Sequence, residues 1–240
     1  MHDIELKDIY FSYPGEKRDE AYLVFDDFSH SFKGEKTHLI IGGSGAGKTT
    51  LIRLIAGLVA QEKGEIIIDG MDVSNQDLFK RKISYVPQDI FLYPHVSIFN
   101  SMASPLVFAH KDTAEIRMNV RTIARSLGIE HCLTRKPKNL SLGQIQRAMI
   151  GKALLREADI YLFDEPLSNQ DTNTKKEVLE TINAVIKERK ATLIYVTHHA
   201  EDVLAFSDYI HVMDEGKITI SGQKDDLLKT NDEIKAYLGL

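Results

Sequence analysis

The sequence predicts an α/β fold with a mainly parallel sheet, an N-terminal antiparallel β subdomain and an inserted α-helical subdomain. Short apolar runs bounded by turn residues alternate with helically periodic segments along most of the chain. The first 32 residues contain two strand patterns and no helical pattern, and residues 92–156 interrupt the later alternation. Regular alternation of strands and helices is typical of a parallel sheet with helices packed on it.

Composition supports one globular domain and excludes several classes. The chain has 240 residues, of which 43% are hydrophobic and 27% charged, which excludes collagen-like, disordered and disulfide-scaffold proteins. Its net charge of −5 gives no general footprint for nucleic acid, so we expect no nucleic-acid partner. Cys132 is the only cysteine, so no intrachain disulfide can form.

The N-terminal part contains five predicted strands and one predicted helix. Tyr13-Pro14-Gly15 is a turn signal after the first strand. Leucine and isoleucine recur at helical spacing from Leu51 to Leu58, and Gly57 lies near the expected end of that helix. The strand patterns span residues 4–11, 22–32, 37–41, 64–73 and 83–86.

The C-terminal part begins with the inserted helical block and returns to alternation. We predict a helix around Ile116–Leu127 that stops at Gly128, and another over Val178–Ile186. Further strands are predicted at residues 160–163, 192–196, 209–213 and 217–220, followed by short amphipathic helices. No apolar run reaches the roughly 18 residues needed to span a bilayer, and the N-terminus lacks a signal-peptide pattern, so we expect a cytoplasmic chain.

A glycine-rich segment between a predicted strand and a predicted helix points to phosphate binding. Residues 42–49, here called the phosphate loop, match G-x-x-x-x-G-K-[ST], a pattern whose backbone N–H groups wrap the phosphates of a nucleotide. The lysine suits the β- and γ-phosphates and the threonine suits Mg²⁺. The loop therefore predicts a P-loop NTPase core that binds ATP and Mg²⁺, through Gly42, Gly43, Ser44, Gly45, Ala46, Gly47, Lys48, Thr49 and Thr50.

Two adjacent acids end the predicted strand at 160–163. Burying acids is costly unless a cation or a proton-transfer role compensates. In a P-loop protein the first acid, Asp164, commonly holds Mg²⁺, and the second, Glu165, is then placed to polarise the attacking water. The pair could equally be two solvated acids between a strand and a helix, so its interpretation depends on the other motifs.

Further segments resemble motifs of the ABC ATPases, in that family's order. Residues 140–144, Leu-Ser-Leu-Gly-Gln, lie 24 residues before Asp164 and resemble the signature motif, although Ser141 and Gln144 alone would also make a helix capping box. The other matching residues are Gln88 for the Q-loop, Ser168-Asn-Gln-Asp171 for the D-loop, His198 for the switch histidine, and Tyr13 for the aromatic residue that stacks on adenine.

The resemblance implies a single ABC ATPase domain that hydrolyses ATP as a dimer and is closest to bacterial importer subunits. It places the catalytic roles on Lys48, Glu165 and His198. The expected Mg²⁺ ligands are Thr49, Gln88 and Asp164. Tyr13, Gln88, Ser141, Gly143, Gln144 and Asp171 would join the phosphate loop in binding ATP, with the signature residues acting on the nucleotide of the other subunit.

The implied partners are a second copy or a homologous ATPase subunit, transmembrane permease subunits, and a substrate-binding protein. The chain would then sit on the cytoplasmic face of the membrane through those subunits, with Gln88 and the 91–95 segment transmitting closure to them. The implied core lobe comprises residues 1–91 and 157–240, and the helical subdomain residues 92–156. Three residues depart from the family pattern, namely Gly43, Leu142 and His199.

Two other functions remain open at this point. A soluble ABC ATPase that acts in assembly or as a mechanical scaffold, such as the iron–sulfur assembly type, would carry the same motifs. A catalytically weak nucleotide-binding regulator is disfavoured because Lys48, Asp164, Glu165 and His198 are all present. Co-purification with membrane proteins distinguishes an importer subunit from a soluble scaffold.

Overall fold

The computed structural model describes residues 2–15, 21–89, 92–168, 170–198, 204 and 206–237. These residues form two compact units. Unit 1 comprises residues 1–83, 159–162 and 190–240, and unit 2 comprises residues 84–158 and 163–189. The predicted subdomain limits of 92–156 remain a prediction.

Unit 1 contains an antiparallel four-stranded sheet in the order β2-β1-β4-β5. Its strands are β1 (Ile4–Tyr13), β2 (Tyr22–Phe32), β4 (Lys63–Ile68) and β5 (Met71–Asp72). Apolar side chains alternate along β1, and Ile4, Leu6, Ile9 and Phe11 are all buried. The alternation gives the sheet one face toward the core, as expected of an antiparallel sheet.

A second sheet of six strands has the order β10-β9-β3-β8-β7-β6. Strand β3 pairs in parallel with both β8 and β9, whereas β9 and β10 are antiparallel. Every residue of β3, β7 and β8 is buried, which is typical of central strands covered on both faces. The six strands are β3 (Thr37–Ile41), β6 (Ile83–Val86), β7 (Ile160–Asp164), β8 (Thr192–Val196), β9 (Tyr209–Asp214) and β10 (Lys217–Gln223).

The helices carry the apolar spacing that the sequence shows. Helix α3 buries Ile116, Val120 and Ala124, one residue per turn, which gives it a narrow apolar stripe. In unit 2, α2 and α3 both pack against α4. The helices are α1 (Lys48–Ala56), α2 (Ile98–Phe108), α3 (Thr113–Ser126), α4 (Leu142–Leu155), α5 (Thr172–Arg189), α6 (Lys224–Thr230) and α7 (Asp232–Tyr237).

The α/β fold class predicted from the sequence is confirmed, with one strand corrected. Residues 64–73 were expected to form a single strand, but the structure has β4 and β5 there, joined by a tight turn. Asp69 and Gly70 both adopt positive φ, at 50° and 77°, and so reverse the chain. Across the residues that the structure describes, none of the helices is both long and apolar enough to cross a bilayer.

Candidate nucleotide-binding site

The phosphate loop leaves the buried strand β3 and enters helix α1, as its sequence context requires. Gly47 lies just before α1 with φ of 101°, a left-handed conformation that L side chains rarely adopt. Gly42 packs so closely against β9 that a Cβ atom would overlap the carbonyl oxygen of Met213. The loop can therefore take this path only with glycine at these two positions.

Lys48 is buried and turns back onto the loop. Its ammonium group donates hydrogen bonds to the carbonyl oxygens of Gly42 and Gly43, at 2.8 and 2.7 Å. The loop is also held by the β9–β10 turn, because the Gly216 N–H donates to the Ala46 carbonyl at 3.0 Å. A cation is thus fixed at the N-terminus of a helix, where the helix dipole favours an anion.

The outer side of the phosphate loop is open. Gly43, Ser44 and Gly45 are exposed. A Cβ atom on Gly43 or Gly45 would meet no atom of the described chain within 4 Å. The loop backbone is therefore accessible to a phosphate group without rearrangement of side chains.

Tyr13 lies beside the start of α1. It ends β1, is half-buried, and its hydroxyl is 3.4 Å from the Thr50 hydroxyl. Its ring meets that of Phe11 edge to face with centroids 4.9 Å apart. The structure therefore places this predicted aromatic residue next to the phosphate loop, within unit 1.

His198 follows β8, the parallel neighbour of β3. The ladder continues past the strand, since the Thr197 N–H donates to the Ile40 carbonyl at 3.2 Å. Parallel neighbours end at the same edge of a sheet, and there His198 is exposed. Unit 1 therefore contains Tyr13, the phosphate loop and His198, with the loop and His198 following neighbouring parallel strands.

Asp164 and Glu165 belong to unit 2 and differ in their surroundings. Asp164 is the last residue of β7 and only 1% exposed, whereas Glu165 is half-buried. Glu165 has φ of 45°, in the left-handed region that non-glycine residues rarely occupy. Eight other non-glycine residues of the described chain also have positive φ, so this conformation by itself assigns no role to Glu165.

The signature residues form the N-terminus of α4. Ser141 is the N-cap, and its hydroxyl accepts from the Gln144 N–H at 3.3 Å while the Gln144 side chain accepts from the Ser141 N–H at 3.1 Å. This is the capping box that the sequence predicts. Leu142, which departs from the family pattern, is 48% exposed.

Gln88 and Asp171 also lie in unit 2. Gln88 is exposed and lines a small pocket with Val86, Gln146 and Met149. Asp171 precedes α5, and its carboxylate accepts from the Thr174 N–H at 3.0 Å. This hydrogen bond holds the pKa of Asp171 below its usual value. Asp171 therefore starts a helix, a role that sequence reasoning did not assign to it.

The predicted Mg²⁺ ligands have suitable donor chemistry. Thr49 offers a hydroxyl, Asp164 a buried carboxylate and Gln88 an amide oxygen. Mg²⁺ prefers such hard oxygen donors and keeps several waters, so it needs few protein ligands. Each of the three residues is therefore suited to the ion by its donor chemistry.

One residue that sequence reasoning left without a role contacts the signature. Gln170 donates from its side-chain amide to the Gly143 carbonyl at 2.7 Å. A contact across 27 residues of chain carries no sequence signal, because only the fold brings the two together.

Three residues of the predicted motifs, Phe91, Asn169 and His199, lie outside the described residues.

Comparison with known proteins gives matches along nearly the whole chain. The molybdate/tungstate import ATP-binding protein of Pyrococcus abyssi is 36% identical over 224 residues, which cover 92% of this chain and 65% of that protein. The oligosaccharides import ATP-binding protein of Bacillus subtilis is 34% identical, with coverages of 98% and 63%. The chain thus spans less than two thirds of the length of these curated relatives.

Solved structures agree on the architecture. A dimeric ATP-binding cassette in a post-hydrolysis state, bound to ADP and phosphate, has a TM-score of 0.84 at 25% identity and covers 92% of this chain and 98% of that one. A bacterial Atm1-family exporter with ATP bound has a TM-score of 0.83 at 27% identity, covering 99% of this chain and 42% of that one.

The remaining comparison is with protein families. The family described as ABC transporter matches residues 25–168, which include the phosphate loop, the signature, and Asp164 and Glu165 at the end of β7. The resemblance seen in the sequence is confirmed, and this chain belongs to the ABC transporter family, as one of its ATP-binding domains.

Proposed function

We propose that this chain binds and hydrolyses ATP as a dimer and drives import through separate transmembrane subunits. The observation that carries the proposal is the phosphate loop, with Gly47 in the left-handed region and Lys48 bonded to the loop's own carbonyls at the start of α1. The import direction follows the relatives, whose names describe import ATP-binding proteins.

The nucleotide is held by residues of unit 1. The loop N–H groups and Lys48 bind the β- and γ-phosphates, and the helix dipole of α1 adds to the attraction. The Tyr13 ring stacks on adenine; since stacking uses the face of the base, it gives little preference for ATP over GTP. The Tyr13 hydroxyl lies 3.4 Å from the Thr50 hydroxyl, so the side chain is beside the start of α1, which supports this role.

Hydrolysis uses acids from unit 2 and a histidine from unit 1. Thr49, Asp164 and Gln88 would hold Mg²⁺, which would offset the negative charge of the β- and γ-phosphates. Glu165 polarises the attacking water and accepts its proton. His198 donates a hydrogen bond to the γ-phosphate. ADP and phosphate are the products.

Closure of the dimer depends on the signature. Ser141, Gly143 and Gln144 bind the γ-phosphate of ATP held by the other subunit, and Asp171 lies at the same interface. ATP thus completes the contact between subunits, and loss of the γ-phosphate by hydrolysis releases it. Transmembrane permease subunits receive this motion, with a substrate-binding protein as a further partner, and they hold the chain at the cytoplasmic face.

The proposal is tested by capturing the tagged chain from detergent-solubilised membranes of its native host. We expect membrane-spanning proteins to co-purify in fixed proportion, and the purified assembly to hydrolyse ATP. Lys48→Ala is the control, since it should keep the partners and lose hydrolysis. Capture with water-soluble proteins alone would contradict the transport proposal and favour the assembly or scaffold class.

A further inference from the structure

A small amide network joins the D-loop to the signature within unit 2. The Gln170 side-chain amide donates to the Gly143 carbonyl at 2.7 Å and to Gln146 Oε1 at 3.3 Å. The Gln146 amide in turn donates to the Ser168 hydroxyl at 3.3 Å. Gln146 is only 4% exposed, whereas Gly143 and Gln170 are half-buried and Ser168 is exposed, so the network is buried at its Gln146 end.

The packing around Gly143 is built for this amide. A Cβ atom on Gly143 would lie 2.7 Å from Gln170 Nε2 and 2.9 Å from its Oε1, closer than such contacts occur. The absent side chain is therefore what lets the Gln170 amide reach the carbonyl. Gln170 is itself anchored, because the next residue, Asp171, is fixed at the start of α5 through Thr174.

The geometry of one peptide group connects Gln170 to Ser141. The Gly143 carbonyl and the Gln144 N–H belong to the same planar unit, so fixing one fixes the direction of the other. The Gln144 N–H donates to the Ser141 hydroxyl at 3.3 Å. The Gly143 carbonyl lies in the first turn of α4 and also faces Arg147 Nε at 3.4 Å, so the shorter hydrogen bond from Gln170 adds a further restraint on a peptide group that engages the Ser141 hydroxyl.

We propose that Gln170 is a positioning residue that holds the Gly143–Gln144 peptide and the Ser141 hydroxyl in the orientation that binds the γ-phosphate across the dimer. The inference rests on the proposed function, because it takes the signature as a phosphate-binding element. In this role Gln170 does not contact the nucleotide. It acts through the signature, so its loss should weaken closure of the dimer and leave binding of nucleotide to a single subunit unchanged.

The experiment uses the Glu165→Gln background, which is expected to accumulate the ATP-bound dimer. Gln170→Leu removes the amide donor at similar size. Gln170→Glu keeps the shape but places a carboxylate oxygen against the Gly143 carbonyl. Gln61→Leu is the matched control, since Gln61 also donates to a backbone carbonyl, that of Gly64 at 3.3 Å, and has no role in the proposed site.

Dimerisation with ATP is measured by sedimentation, and nucleotide affinity by titration of dilute, monomeric protein. We expect Gln170→Leu to weaken the dimer about tenfold, the effect of losing one well-made hydrogen bond. Gln170→Glu should be at least as damaging, because two acceptor oxygens then face each other. All variants should bind nucleotide like the background, and Gln61→Leu should dimerise like it.

Two outcomes would overturn the inference. Dimerisation of Gln170→Leu equal to the background would show that the hydrogen bond does not matter. A milder effect of Gln170→Glu than of Gln170→Leu would show that shape matters instead of the donor. Thermal unfolding identifies a variant that merely folds poorly. If the Glu165→Gln background itself forms no ATP dimer, the proposed function fails, which is a separate result.

Discussion

At the scale of single residues, backbone strain and chemistry coincide at Glu165. Its φ of 45° costs free energy for a residue with a Cβ atom, on the order of 1 kcal/mol or more. The residue follows Asp164, the buried end of β7. This cost is tolerated where the surrounding structure fixes the chain, and it directs the carboxylate that we propose as the general base.

Replacing Glu165 by glutamine tests that role. The amide cannot accept a proton from water, so Glu165→Gln should slow hydrolysis by about 10²-fold or more while keeping ATP affinity. The variant should also accumulate as an ATP-bound dimer, detected by gel filtration with ATP. Glu180→Gln is the matched control, an exposed glutamate on α5 in the same unit. Wild-type turnover in Glu165→Gln would remove Glu165 from the mechanism.

Much of the candidate site could be predicted residue by residue, because its motifs are contiguous. The phosphate loop needs glycine, lysine and threonine at fixed spacing. The capping box at Ser141 is formed within four consecutive residues, 141–144. The partners of these residues could not be predicted in the same way. The Met213 carbonyl against Gly42 and the Gln170 amide on Gly143 arise only once distant segments pack together.

At the scale of elements, three histidines form one hydrogen-bonded cluster among β2, β3 and β9. His38 Nε2 faces the Lys33 carbonyl at 2.8 Å, so this nitrogen carries the proton and Nδ1 accepts. His38 Nδ1 is 3.0 Å from His211 Nε2, which must therefore donate. His211 Nδ1 then accepts, and its single lone pair is shared between His30 Nε2 at 3.2 Å and the Ser221 hydroxyl at 2.9 Å.

This pattern requires neutral rings at His38 and His211, because each of them accepts a hydrogen bond at Nδ1. Burial lowers the pKa of His30 and His38 to about 4, and lowers that of His211 to about 2. Nearby charges act on His38 in both directions, since Asp208 raises its pKa while Lys36 lowers it. Tyr209 stacks on His38 with ring centroids 5.1 Å apart.

The cluster predicts acid sensitivity with a definite sign. In the unfolded chain these histidines take up protons below about pH 6.5, whereas the folded chain resists protonation. The unfolded state therefore binds more protons in this range. As a result, the free energy of unfolding decreases as the pH is lowered from about 6.5 toward 4. The free energy of unfolding changes by about 1.4 kcal/mol per pH unit for each histidine, and by up to about 4 kcal/mol per pH unit for all three.

Urea unfolding at several pH values measures this slope. His30→Gln should reduce it by about a third, because one of three protonations is removed. The matched control is His131→Gln, which changes an exposed side chain outside the cluster and should leave the slope unchanged. An unaltered slope in His30→Gln would contradict the lowered pKa of His30 in the folded chain.

Elements were predictable where the apolar period was clear. The buried strands β3, β7 and β8 are continuous apolar runs and lie where the sequence predicts them. Helix α2 is apolar almost all round and contains Pro105, so it offers no helical period to detect. Helix α5 begins six residues before the predicted Val178, because Asp171 caps it through Thr174.

At the scale of the whole molecule, the proposed dimer places the phosphate loop and the signature of one chain in two different ATP sites. The phosphate loop belongs to unit 1 and the signature to unit 2 of the same chain. If the signature acts on the nucleotide of the other subunit, each ATP site consists of the phosphate loop of one chain and the signature of its partner. Lesions in the two elements can then be separated by mixing.

Lys48→Ala and Ser141→Ala should each be inactive alone, since both sites of each homodimer carry a lesion. In a mixed dimer one site collects both lesions, and the other combines an intact loop with an intact signature. Hydrolysis or trapped ATP should therefore reappear on mixing, at up to one site per mixed dimer. Were the signature to act within its own chain, every site would keep one lesion and mixing would restore nothing.

Mixing could also fail to restore activity if both sites of a dimer must be intact at once. A cross-linking experiment distinguishes this case from a signature that acts within its own chain. In a Cys132→Ser background, which removes the only cysteine, new cysteines at Ser44 and Leu142 place one thiol on the phosphate loop and one at the signature. Both positions are exposed, so the substitutions should be tolerated. The two thiols should join between chains, and faster with Mg-free ATP than without nucleotide, because ATP closes the dimer. Cross-links formed only within single chains, read by mass on a denaturing gel, would contradict the arrangement in which each signature binds its partner's ATP.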